Sequence, residues 1–180
     1  MKSYLKKIIS GVVAMVTLFS LFGCSSNQLN EQKIAMDMEI ILTQLFDSVK
    51  NGEKEIFKTF FADFVLNLSD FEEGCDYVFA LYQGDLLEID CNLPLATGTL
   101  FVPGERIHSA STSFHIITSV NEYVLFIGFY TQYSKYPEGS YKIKTFKLIT
   151  KQMKDDGEDF TDCSLRNGIY YPNWPLPELN

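Results

Sequence analysis

The chain has 180 residues, 46% of them hydrophobic, with 23 acidic against 15 basic side chains and a formal net charge of −8. That length can bury the core of one domain. The acidic balance argues against nucleic-acid and anionic-lipid partners, because a negative surface repels phosphate.

Residues 1–23 read as a lipoprotein signal peptide. Lys2, Lys6 and Lys7 form a positive start, and Ile8 to Leu21 is a 14-residue run without a charge. That run is shorter than the roughly 20 residues a spanning helix needs. Leu21-Phe22-Gly23-Cys24 follows in the order of a lipobox. Cleavage before Cys24 and lipidation of that residue would supply two or more acyl chains, which anchor stably where one is marginal. The expectation is a protein held by Cys24 on the extracytoplasmic face of the cell membrane. Residues 24–32 form a polar tether spanning roughly 15 Å. Loss of residues 1–23 removes three lysines and no acid, leaving 157 residues with a net charge of −11.

A single α+β domain is expected over residues 33–172. The first helix runs from Glu31 to Lys50, with Ile34, Met38, Ile41, Leu45 and Val49 on one stripe. Ile40, Leu42 and Phe46 widen that stripe, and Asn51-Gly52 is the stop. A short helix over Glu53–Phe61 carries the aromatic cluster Phe57, Phe60, Phe61 and Phe64, read as a core plug. A third helix starts at Ser69, where Ser69 and Glu72 have capping-box spacing. Its Phe71, Cys75, Val78, Phe79 and Tyr82 share one side, and Gly84 ends it.

Beyond Gly84 the periodicity becomes that of strands. Leu86–Cys91 is extended, and Pro94, Gly98, Pro103 and Gly104 mark a loop or irregular edge strand. Arg106–Ser119, Glu122–Tyr133 and Ser140–Thr150 read as three strands. Tyr123 to Tyr130 is apolar on both parities, which places that strand centrally with both faces covered. In the next strand Tyr141 and Ile143 share one parity and Phe146 and Leu148 the other, so a β-bulge near Thr145 is predicted. Asp155-Asp156-Gly157 reads as a hairpin turn, with Phe160–Leu165 returning as a further strand. Residues 173–180 form a proline-rich tail around Trp174.

With Cys24 lipidated, Cys75, Cys91 and Cys163 remain. Cys75 lies on the apolar stripe of the third helix and reads as a core residue. A Cys91–Cys163 bridge is allowed outside the cytoplasm, and without CxxC spacing no zinc site is expected. No cofactor motif occurs. His108 and His115 are seven residues apart in one strand and so lie on opposite faces. His115 goes outward with Ser109, Ser111 and Ser113, and His108 points inward near one strand end. Exposed or hydrogen-bonded histidines are the commoner outcome of such placement. The acidic run Asp155–Asp159 lacks EF-hand spacing and reads as a solvated turn.

Several stretches resemble a known family. They are Phe46-Asp47-Ser48-Val49-Lys50-Asn51-Gly52, Tyr82-Gln83-Gly84-Asp85, Tyr123 through Thr131, and Asn167-Gly168-Ile169-Tyr170-Tyr171-Pro172. In this order the chain resembles uncharacterised bacterial lipoproteins filed as a domain of unknown function. Its element order is similar to that of the nuclear-transport-factor-2-like, or cystatin-like, fold. The resemblance implies three N-terminal helices packed on a curved antiparallel sheet, a cone that can hold a pocket. Asp63, Tyr82, Tyr130, Tyr141 and His108 would then be its ligand-binding candidates, and it carries over no catalytic residue. The functional expectation is a noncatalytic binding or interaction domain whose partner is an unknown protein or a small apolar ligand. Homodimerisation through the sheet face would cover the central strand. The alternative is a small acid–base enzyme of ketosteroid-isomerase or dehydratase type. A transporter-linked substrate receptor ranks last, since 157 residues are few for a two-lobed receptor.

Overall fold

Helix α1 spans residues 30–50 and stops at Gly52, whose φ of 74° suits a residue without a side chain. The computed structural model describes residues 30–102, 105–136, 140–158, 160 and 167–171. The chain divides into a unit of residues 1–36, where only the opening turns of α1 are described, and a unit of residues 37–180. The expected signal peptide, Cys24, the tether up to residue 29 and the tail lie outside the described residues. Within the second unit α1 buries Met38, Leu42, Leu45, Phe46 and Val49. That stripe is narrower than expected, since Ile40 is 61% exposed.

Three helices follow, α2 (Lys54–Lys58), α3 (Asp63–Leu66) and α4 (Phe71–Leu81). The aromatic plug forms around Phe57 and Phe61, both fully buried. Phe57 meets Phe79 edge-on at 5.4 Å, Phe61 meets Phe71 at 5.3 Å, and both meet Phe146 at 6.2 and 5.9 Å. Such edge contacts add to the burial of the rings themselves. The capping box does not form. Asp70, one residue after Ser69, is the N-cap of α4, without a side-chain cap bond, and the Glu72 carboxylate pairs with Lys58 at 2.7 Å. Cys75 is buried on this helix as a free thiol, as its position on the stripe implied. Cys91 is also a free thiol, and Cys163, the other half of the conceivable bridge, lies outside the described residues.

One six-stranded, mostly antiparallel sheet completes the fold. Its strands are β1 (Leu86–Cys91), β2 (Ala96–Val102), β3 (Glu105–Thr118), β4 (Glu122–Gln132), β5 (Lys142–Thr150) and β6 (Gly168–Tyr170). The order is β1-β3-β4-β5-β6, and β2 lies end to end with β1 along the same side of β3. The molecule is thus a mixed α+β fold with a single open sheet. Three elements differ from expectation, and the first is α3, which makes four helices ahead of the sheet where three were expected. Lys151–Asp155 is a short helix, α5, capped by Thr150 accepting from the Met153 N–H. Gly157, at φ 104°, therefore stops a helix and does not turn a hairpin. The returning partner of β5 is β6, paired in parallel through Phe146 and Ile169. The expected strand over Phe160–Leu165 lies mostly outside the described residues, and Phe160 itself is a bend.

Register assigns the faces. Even residues of β3, odd residues of β4, and Ile143, Phe146 and Leu148 of β5 stand opposite one another. This inner face is buried and meets the plug. The predicted bulge is present: Gly128 pairs with Thr145 while Phe129 pairs with Ile143, so Lys144 is the extra residue. One inserted residue is what brings Ile143, Phe146 and Leu148 onto a common face despite their mixed parity. The outer face of β4 and β5 is covered by the chain itself, with Phe160 stacked on Phe126 at 5.8 Å and Glu158 on buried Lys147. β4 is therefore covered on both faces, as its composition required.

Candidate functional site

The chain leaves β4 through Thr131 and Gln132 and turns over Tyr133–Tyr136, closed by the Tyr136 N–H donating to the Tyr133 carbonyl at 2.9 Å. Tyr130 is an outer-face residue, opposite Ser109 of β3 and Lys142 of β5. The turn folds back so that three tyrosines spaced by three residues form one shelf. Tyr130 and Tyr133 meet edge-on at 5.3 Å, Tyr133 and Tyr136 at 5.4 Å and 90°, and Tyr130 and Tyr136 lie near parallel at 6.5 Å. Phe64 of α3, 38% exposed, extends the shelf at 6.3 Å from Tyr130.

Polar bonds fix the shelf to the body. The Tyr136 hydroxyl accepts from the Asp63 N–H at 3.1 Å, and the Asp63 carboxylate pairs with Lys135 at 2.8 Å. The Lys135 ammonium holds the Asp63 carboxyl below its usual range and is itself raised. Ser134 donates to the Glu105 carboxylate on β3. Among the described residues the Tyr130 and Tyr133 hydroxyls have no hydrogen-bond partner. Burial raises the Tyr130 hydroxyl above its usual pKa, with Tyr133 and Tyr136 adding to the shift. All three rings are half-buried, so each keeps part of its surface open to a ligand, and Tyr130 and Tyr133 add hydroxyls that no described residue bonds. Rings with few rotatable bonds give contact area at low entropic cost.

The five ligand-binding candidates are not gathered in one place. Asp63 and Tyr130 join the shelf. His108 lies on β3 beside Ser109, the partner of Tyr130, and its Nδ1 is 3.0 Å from the Thr99 hydroxyl on the edge strand β2. Tyr82 is at the opposite end of the sheet, buried between Phe46 at 4.7 Å and Tyr123 at 5.6 Å. Tyr141 donates to the Asp37 carboxylate of α1 at 2.9 Å. Burial pushes both phenols up to about 12, so both are protonated at neutral pH. Sequence reasoning missed Phe64, Tyr133, Tyr136, Lys135 and Lys144. The Tyr-x-x-Tyr-x-x-Tyr spacing over 130–136 was the available signal.

His115 lies on the outer face, half-buried in the row with Ser109, Ser111 and Ser113. Its Nε2 is 3.3 Å from Glu122, whose carboxylate also takes Lys151 at 2.8 Å. Lys151, then His115, lower the Glu122 pKa. Glu122 and Lys151 line an open recess of about 450 Å³ between the β3–β4 turn and the start of α5. This is an ion-paired surface corner, with the carboxylate held ionised by the lysine. Among the described residues no group of three or more His, Cys, Asp or Glu could hold a metal, and no helix is long and apolar enough to cross a membrane.

The model of a family described as a domain of unknown function (DUF5104) matches residues 44–158. No curated protein matches the chain.

Proposed function

We propose that this chain, which belongs to the DUF5104 family, is a lipid-anchored binding module of the extracytoplasmic membrane face that holds its ligand on the tyrosine shelf and does no chemistry on it. The carrying observation is the shelf: three half-exposed tyrosines in mutual ring contact, two of them with hydroxyls that no described residue bonds, pinned by Asp63 and Lys135. Preorganised tyrosines of this kind are characteristic of recognition surfaces. The lipobox at Cys24 supports the address. The helices preceding an antiparallel-rich sheet fit the nuclear-transport-factor-2-like arrangement; on that reading the shelf lies on the sheet's outer side, away from the cone interior.

The test is a photo-crosslinking side chain placed at position 133 of the full chain in its own membrane, compared with one at exposed Gln152. A mobility-shifted adduct specific to position 133 is expected. Equal or absent adducts at the two positions would refute the reading.

A further inference from the structure

Lys144 is the extra residue of the β5 bulge. Its stem crosses the outer face over Gly128, where a Cβ would come within 3.3 Å of the Lys144 Cε. Gly128 therefore keeps open the path that brings the ammonium to 5.8 Å from the centre of the Tyr130 ring. The charge is half-buried, and burial alone lowers its pKa. Among the described residues it meets no carboxylate. Lys50, Lys54, Lys58, Lys135, Lys147 and Lys151 each have one. In a chain where acids outnumber bases 23 to 15, a desolvated ammonium without a carboxylate is conspicuous, because desolvation favours pairing or neutralisation.

We propose that the shelf binds an anionic sugar, whose ring lies against the tyrosines and whose carboxylate or phosphate meets Lys144. This rests on the shelf being the binding surface. Sugar rings carry a face of C–H bonds that lies on an aromatic ring and an edge of hydroxyls that bond phenols, and the shelf offers both. Lys135 is already satisfied by Asp63 and Lys142 donates to the Thr59 carbonyl, so among the described residues Lys144 is the cation beside the shelf without a hydrogen-bond partner. That matches a ligand that brings one acidic group to the site better than one that needs several cations together. The fixed ring edges suit a rigid, hydroxylated ligand better than an acidic peptide, whose apolar side chains would need a pocket.

The experiment is affinity electrophoresis of the full chain in detergent micelles, through gels containing polygalacturonate, a phosphomannan, neutral dextran or polyglutamate. Retardation by polygalacturonate, phosphomannan or both is expected, with an apparent affinity at least fivefold above dextran and above polyglutamate. The two anionic arms separate carboxylate from phosphate. Lys144→Gln, which keeps the stem, should abolish the preference over dextran, and Tyr133→Ala should abolish retardation altogether. If Tyr133→Ala does not fold, Lys144→Gln decides alone. No preference for either anionic glycan, an equal response to polyglutamate, or an unchanged preference in Lys144→Gln would overturn the proposal. A position-133 adduct combined with any of these results would remove the sugar and leave the binding surface standing.

Discussion

Gly74 of α4 packs directly against Ile169 of β6. A Cβ built there lies 2.7 Å from the Ile169 Cβ and 3.0 Å from both its Cγ2 and its carbonyl oxygen. Two opposed terms decide the outcome of Gly74→Ala. Alanine in a helix interior gains about 1 kcal/mol over glycine. Overpacking costs about 1–3 kcal/mol, and here two of the three obstructing atoms are a Cβ and a backbone oxygen, which no rotamer change can move. β6 can yield only by leaving β5, to which it is joined over Thr145, Phe146 and Lys147. Its departure would expose Ile169, now fully buried, at about 1.5–3 kcal/mol. The net expectation is a loss of up to about 2 kcal/mol, with the amides of residues 168–170 exchanging faster than the rest of the sheet. Urea unfolding followed by circular dichroism, together with hydrogen exchange, measures both. Gly98→Ala is the control: on edge strand β2 its Cβ would meet only the Ser109 hydroxyl, at 3.5 Å. Reduced freedom of the unfolded chain should then stabilise by about 0.4–1 kcal/mol. A Gly74→Ala protein as stable as the parent, with unchanged protection at 168–170, would refute the close-packing argument.

Tyr123→Phe should cost about 1–3 kcal/mol in the same unfolding assay. The lost hydroxyl donates to the Leu81 carbonyl at 3.1 Å and accepts from the Gln83 N–H at 2.9 Å, joining the end of α4 to the start of β4; an unchanged midpoint would mean that water replaces it without loss. Glu158→Gln should destabilise by about 1–3 kcal/mol, because Lys147 is only 2% exposed and its Nζ lies 2.6 Å from the carboxylate. That is below the loss for a fully buried pair, since the Glu158 side chain is a third exposed. Lys147→Met in the Glu158→Gln background should recover most of it, and failure to recover would show that the buried charge is not the source of the loss. Cys24→Ala should abolish incorporation of labelled fatty acid and leave the precursor uncleaved at the lipobox; persistent labelling would place the acyl group elsewhere.

Much of the secondary structure was legible because its causes are local. The stop of α1 at Gly52, the aromatic plug, the two-sided burial of β4 and the bulge at Lys144 all follow from residue spacing within a few turns or strand positions. The misread elements share another cause. Asp155-Asp156-Gly157 fits a hairpin turn and a helix stop equally well, and the choice fell to Thr150 capping α5. The Ser69 capping box does not form because the cap falls one residue later, at Asp70, which puts Glu72 at the second helical position and not the third. The site was the least legible part: Asp63 and Tyr130 were singled out, but Tyr133, Tyr136, Phe64 and Lys144 join them only once a turn, a short helix and a bulge converge.

Sequence alone determined the periodicity of α1, the position of β4 in the sheet and the need for a bulge, because a strand's parity and a helix's stripe are properties of neighbouring residues. Only the tertiary structure decided that β6 returns in parallel, that Glu158 and Phe160 cover the outer face, and that Lys144 reaches Tyr130. These depend on segments that meet across the sheet, and pairing over such distances leaves no period in the chain to read.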